Sequence, residues 1–152
     1  MDKINKTILE LLQEDATLSV SELAERVGLS ATPCWRRVQR LEEEGYIQRR
    51  VTLLDPVKLN VGVTVFVSIK TSQHNEKWFK NFASIVATIP QIVEFYRMSG
   101  ETDYLLRVVV PDIKAFDMVY KRLIRDVELF DVSSSFAMEQ IKYTTALPLD
   151  YA

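Results

Sequence analysis

The segment SVSELAERVGLSATPCWRRVQRLEEEG, residues 19–45, is punctuated twice as a helix. Ser19 and Glu22 stand at the spacing of a capping box, in which each side chain satisfies the other residue's backbone N–H at a helix start. Leu23, Ala24 and Val27 supply the inward positions, and Gly28 ends the helix, because glycine accepts the left-handed conformation found there. Ser30 caps the next helix, which Gly45 closes. Pro33 falls in its first turn, where a missing N–H costs nothing. Ahead of this pair, Asp2 caps a helix whose apolar positions Ile4, Ile8, Leu11 and Leu12 form one stripe. Two short helices across a tight glycine turn, with a first helix behind them, predict a helix-turn-helix, winged-helix-like domain over residues 1–46.

Residues 47–60 predict a strand-containing linker, since Tyr46 to Leu54 alternates and Asp55-Pro56 breaks the run. Residues 61–152 then predict an α+β domain of βαββαβ order, ferredoxin-like, with an antiparallel sheet and both helices on one face. Its strands start from the alternation of Val63, Val65, Val67 and Ile69, followed by Ile92–Ser99, Tyr104–Val110 and Val132–Ile141. The helices carry Phe79, Phe82, Ala83, Val86 and Ile89, then Phe116, Val119, Tyr120 and Leu123. Phe66, Tyr96, Leu105 and Val109 are expected on the uncovered face, which predicts a dimer through the sheet.

The chain has 152 residues, is 47% hydrophobic and 26% charged, and carries a net charge of −2. That composition fits a globular protein and excludes a disordered one. No apolar run reaches membrane-spanning length, and one cysteine cannot form an internal disulfide, so the expected setting is the cytoplasm. No field of positive charge covers the chain, so any nucleic-acid surface must be local. Arg36, Arg37, Arg40, Arg49 and Arg50 form the one basic cluster.

The helical repeat places Cys34, Val38 and Leu41 on one face of the third helix. Thr32, Arg36, Gln39 and Arg40 lie opposite, with Arg37 to one side. These side-chain types read base edges and hold phosphates, and they equally suit a solvated helix face. Arg49 and Arg50 are placed to hold flanking phosphates. Cys34 has no second cysteine or nearby histidine with which to share a metal, so it reads as a buried thiol. Trp35 sits between the two faces and reads as packing, against the protein or the DNA backbone. His74, the lone histidine, falls in a polar loop. No triad, paired-histidine site or phosphate-binding glycine loop is present, which argues against an enzyme. The segment Met98-Ser-Gly-Glu-Thr-Asp-Tyr104 reads as a hairpin turn. It also offers a carboxylate at Asp103 for an ammonium group, and Thr102 with main-chain N–H groups for a carboxylate. Ser133-Ser134-Ser135 adds hydroxyls.

LSATPCWRRVQRLEEEGYI resembles the recognition-helix signature of the Lrp/AsnC, or feast/famine, bacterial transcription regulators. MSGETDYLL, followed by VVVPD, resembles the Gly-x-x-Asp-Tyr turn of their effector domain. The resemblance spans essentially the whole chain. It implies DNA binding through Ser30, Thr32, Pro33, Arg36, Arg37, Gln39, Arg40, Arg49 and Arg50 on a pseudo-palindromic operator. It also implies a homodimer that assembles into tetramers or octamers. A small amino acid would bind between dimers at Ser99, Gly100, Thr102, Asp103 and Tyr104, with Ser134, Ser135 and Phe136. Met98 and Phe136 favour leucine or methionine there, with no other cofactor. Two alternatives share this architecture: a sirohaem-decarboxylase-like enzyme, and an amino-acid-sensing module without operator binding.

Overall fold

The computed structural model describes residues 1–152, which divide into two compact units. One comprises Met1–Leu53 together with Lys142–Ala152, and the other Leu54–Ile141.

The first unit contains helices α1 (Lys3–Glu14), α2 (Val20–Val27) and α3 (Ala31–Glu43). Asp2 caps α1 by accepting from Asn5 N at 2.8 Å. Ser19 and Glu22 form the reciprocal box, with Glu22 N donating to Ser19 Oγ at 3.2 Å and Ser19 N to Glu22 Oε2 at 2.8 Å. Gly28 adopts φ 69°, and the next amide, Leu29 N, reaches back to Ala24 O at 2.9 Å. Ile8, Leu23, Cys34, Val38 and Leu41 make the buried centre.

Ser30 occupies the N-cap position of α3 but makes no side-chain capping bond. Pro33 removes one of the two donors such a cap can use. A serine cap bonds the N–H of the second or third helical residue, and the third residue here is a proline without one. The Ser30 hydroxyl therefore stays unengaged within the protein.

The segment expected as a strand in residues 47–60 contains none. An extended segment becomes a strand only when a neighbour takes its N–H and C=O groups, and here none does. Val51, Leu53 and Leu54 are exposed, and residues 56–60 form a turn closed by Val61 N donating to Pro56 O at 2.8 Å.

Residues 142–152, expected to belong to the second domain, lie with the helices instead. The Gln13 amide brackets the Leu147 backbone, donating to Leu147 O at 3.2 Å and accepting from Leu147 N at 2.6 Å. Leu149 packs against the helical core. These are contacts across more than a hundred residues, and no local pattern announces them.

The second unit contains β1 (Val63–Lys70), α4 (Glu76–Ala87), β2 (Ile92–Arg97), β3 (Tyr104–Val110), α5 (Ile113–Arg125) and β4 (Asp131–Phe136). The sheet order is β2-β3-β1-β4, antiparallel throughout. Val65, Val67, Ile69, Leu106 and Val108 face Phe82 and Val86 of α4 and Phe116, Val119 and Leu123 of α5, so both helices cover one face. The register pairs Thr64 with Val109, Phe66 with Arg107, and Leu105 with both Ser68 and Tyr96. Phe66, Tyr96, Leu105 and Val109 thus share the other face, where an Arg107–Glu94 ion pair at 2.8 Å interrupts the apolar surface.

Two strands are shorter than their sequence patterns. β2 stops at Arg97 because Met98 N turns to Asp103 O at 2.8 Å. β4 stops at Phe136; Ala137 N still donates to Thr64 O at 2.9 Å, and the pairing ends there because β1 starts at Val63.

Thermal unfolding distinguishes the two serine caps and the strap. Ser19→Ala is expected to destabilise the helical unit by about 1 kcal/mol, and Ser30→Ala to leave it unchanged. Leu149→Ala is expected to lower the stability of the same unit by roughly 1 kcal/mol, although the residue lies at the far end of the chain.

Candidate functional site

The buried stripe of α3 turns its other face outward. Thr32, Pro33, Trp35, Arg36 and Arg40 are exposed, and Ser30 is exposed just ahead of them. Arg36 makes no ion pair with any carboxylate of the chain. Arg40 is 75% exposed and pairs with Glu44 one turn on, at 2.6 Å. Gln39 is half-buried, and its amide donates to Glu42 Oε2 at 3.2 Å. Trp35, Arg36, Gln39, Arg40, Glu43 and Glu44 line a hollow of about 400 Å³ along this face.

Arg37, expected among the DNA-binding residues, is engaged within the protein. Its guanidinium donates to Asp2 Oδ2 at 2.5 Å and to Asn5 Oδ1 at 2.9 Å. It therefore ties α3 to the N-terminal turn of α1. That hydrogen bond, with the one from Asn5 N, holds the Asp2 carboxyl below the usual carboxylate range. Arg50 pairs with Glu42 at 2.8 Å, while Arg49 is exposed and unpaired. Cys34 is fully buried, and burial pushes its thiol up.

In the sheet unit, antiparallel pairing brings the end of β1 against the start of β3. The loop after β1 and the turn before β3 therefore meet. Gly100 takes φ 100° in that turn, and Asp103 locks it in place. Asp103 N donates to Ile69 O at 2.9 Å, and Asp103 Oδ2 accepts from Thr71 N at 2.8 Å. Beside it opens a cleft of about 310 Å³ whose walls include Phe79, Arg97, Met98, Asp103 and Tyr104, with His74, Asn75 and Glu76 at the N-terminus of α4. Arg97 is exposed and unpaired. Glu76 is engaged by Lys80 at 2.6 Å. Tyr104 is only 7% exposed, and its ring lies among Trp78, Phe79, Phe82 and Phe95.

The two groups of residues expected at the effector site are not gathered within one protomer. Met98, Asp103 and Tyr104 line the cleft, with Ser99, Gly100 and Thr102 in the adjoining turn. Phe136 pairs with Val65, about 13 Å along β1 from Ile69. The serines also part: Ser134 shares the helix-covered face with Val67, and Ser135 the open face with Phe66. Phe136 itself packs edge-on to Phe116 at 5.3 Å. His74, Asn75, Glu76, Phe79 and Arg97 were not expected at the cleft. Their signal lay in topology, because a β1–β3 pair places the Thr71–Glu76 loop next to the Gly100 turn.

No three His, Cys, Asp or Glu side chains gather to hold a metal ion, and no helix is long and apolar enough to cross a membrane. Residues 1–48 match the winged helix-turn-helix DNA-binding family, and residues 64–147 match the Lrp/AsnC ligand binding domain. The chain is 52% identical over 151 residues to the DNA-binding transcriptional activator DecR of Escherichia coli, covering 99% of each. It superposes on the crystal structure of an AsnC family transcriptional regulator from Agrobacterium tumefaciens with a TM-score of 0.96, 64% identity and 99% coverage of both chains. A transcriptional regulator of Neisseria meningitidis, solved in complex with L-Met, gives a TM-score of 0.94 at 36% identity, covering 99% of this chain and 98% of that one. With a winged helix-turn-helix in one unit and a ligand-binding fold in the other, the chain belongs to the Lrp/AsnC family of DNA-binding transcription regulators.

Proposed function

We propose that this regulator reads a pseudo-palindromic operator with α3 and responds to a small apolar amino acid, leucine or methionine, held at the Asp103 cleft. The exposed, unpaired Arg36 at the centre of the outer face of α3 carries the first half of this reading. An arginine free of protein carboxylates can give both N–H groups of its fork to a guanine edge. Arg40, Gln39, Thr32 and Ser30 flank it, and Arg49 suits a phosphate. The Ser30 hydroxyl, without a capping bond, is available to the backbone of DNA. Arg37, tied to Asp2, acts by positioning the helix.

Two recognition helices of a dimer would meet half-sites about 34 Å apart. The uncovered sheet face, with Phe66, Tyr96, Leu105 and Val109, is the surface we assign to dimerisation. Assembly into tetramers or octamers would multiply a local basic patch into a large footprint, which lets each half-site be weak. Such a protein works in the cytoplasm.

For the effector, the supporting observation is that side chains of opposite charge line the same cleft. Asp103 keeps one carboxylate oxygen for an ammonium group, and unpaired Arg97 faces a carboxylate. Met98 and Phe79 add apolar lining to the same cleft. The L-Met complex of the Neisseria relative supports an amino acid of this class. Ser134, Ser135 and Phe136 reach such a ligand only from another protomer. The amino acid changes activity by binding one assembly or DNA-bound state better than another.

Arg36→Ala is expected to cost about 1–3 kcal/mol per half-site in a gel-shift titration. Unchanged affinity would remove α3 as the reading element. Calorimetry with the twenty amino acids is expected to show binding of leucine or methionine that Asp103→Ala abolishes and Arg97→Gln weakens about tenfold or more, with DNA binding spared in both. Full binding by Arg97→Gln would refute the charge-pair reading.

A further inference from the structure

The two tryptophans of the chain are in opposite conditions. Trp78 on α4 is half-buried, stacks near Phe82 and Tyr104 at 5.0 and 5.7 Å, and donates its indole N–H to Glu128 O at 3.2 Å. Trp35 on α3 is 50% exposed, and no aromatic contact or side-chain hydrogen bond within the chain involves it. An indole left in water on a helix otherwise lined with charge is unfavourable for the free protein, since a tryptophan presents a large apolar area.

Its position gives that exposure a use. Trp35 is the fifth residue of α3, one turn after Ala31 and Thr32 and one turn before Gln39. It borders the hollow shared with Arg36, Gln39 and Arg40. The N-terminal part of a recognition helix is the part that meets base edges. In the major groove the edges of G, C and A offer only hydrogen-bonding groups, and the one apolar group is the C5-methyl of thymine. Phosphates and polar edges are already matched by the arginines and Gln39. The apolar ring of an indole has one complementary surface there.

We infer that Trp35 is a specificity-determining residue that packs on a thymine C5-methyl, so that each half-site carries a preferred thymine beside the base read by Arg36. This rests on the reading that α3 enters the major groove. It adds an apolar discrimination that arginine and glutamine cannot supply, and it assigns Trp35 to DNA rather than to protein packing.

The test uses duplexes selected from random DNA by the full-length protein, with dT replaced by dU one position at a time. That exchange removes only the methyl group, whose burial corresponds to about a fourfold change in affinity. One position per half-site is expected to weaken the wild type by about that factor. The same exchange is expected to leave Trp35→Ala unaffected, and Trp35→Phe to keep part of the preference. Unchanged thermal unfolding of Trp35→Ala would accompany this, because the side chain is exposed. In a Trp78→Phe background, Trp35 emission is expected to shift on adding the selected duplex. Wild-type affinity in Trp35→Ala, or equal dU sensitivity with and without the indole, overturns the inference. If Arg36→Ala weakens binding while Trp35→Ala does not, the reading of α3 stands and only the role of Trp35 falls. If neither variant weakens binding, both fall.

Discussion

Burial of Cys34, Val38 and Leu41 in the helical core sets the rotation of α3 about its own axis. With three side chains seated on α1 and α2, every other residue of that helix has a direction. Arg36 points away from the core, Trp35 lies on one flank, and Arg37 on the other meets Asp2 and Asn5. A helix whose inward stripe were less apolar would turn freely, and no set of side chains would be presented to a groove in a repeatable way. The ion pair of Arg37 with Asp2 joins the same constraint, because it links the rotation of α3 to the capped start of α1.

A comparable dependence holds in the sheet unit. The β1–β3 ladder brings the chain after Ile69 and the chain before Tyr104 to one end of the sheet, where Asp103 accepts from Thr71 N. The cleft follows from that hydrogen bond and from Gly100, whose positive φ lets the turn close over a short span. Arg97, at the end of β2, reaches the cleft because β2 and β3 are joined by the same turn. The two charged residues of the cleft, Arg97 and Asp103, therefore come from one hairpin, while Phe79 comes from α4.

Much of this was legible along the chain. The caps at Asp2 and Ser19, the glycine stop at Gly28, and the alternation in β1 and β3 are local signals, and each element appears where they put it. The errors have a common cause. The linker strand failed because alternation describes a side-chain pattern and a strand also needs a partner edge. β4 is shorter than its pattern for the same reason, and β2 ends where the chain turns towards β3. Arg37 was read from its helical angle alone, and an angle does not reveal that Asp2 and Asn5 stand within reach. Ser30 has the sequence position of a cap but makes no capping bond, because position alone does not orient a hydroxyl.

Residues 142–152 carry the same lesson over a longer distance. Their contact with Gln13 and the packing of Leu149 on the helical core depend on where the chain goes after β4. Periodicity, caps and glycine stops reach a few residues in each direction, so sequence sufficed for the five helices, for β1 and β3, and for the outward face of α3. Contacts between distant residues depend on how elements pack. Only the tertiary structure therefore decided that Arg37 serves α1, that Arg97 and Asp103 share a cleft with Phe79, that the three serines of β4 divide between two faces, and that the last residues complete the helical unit.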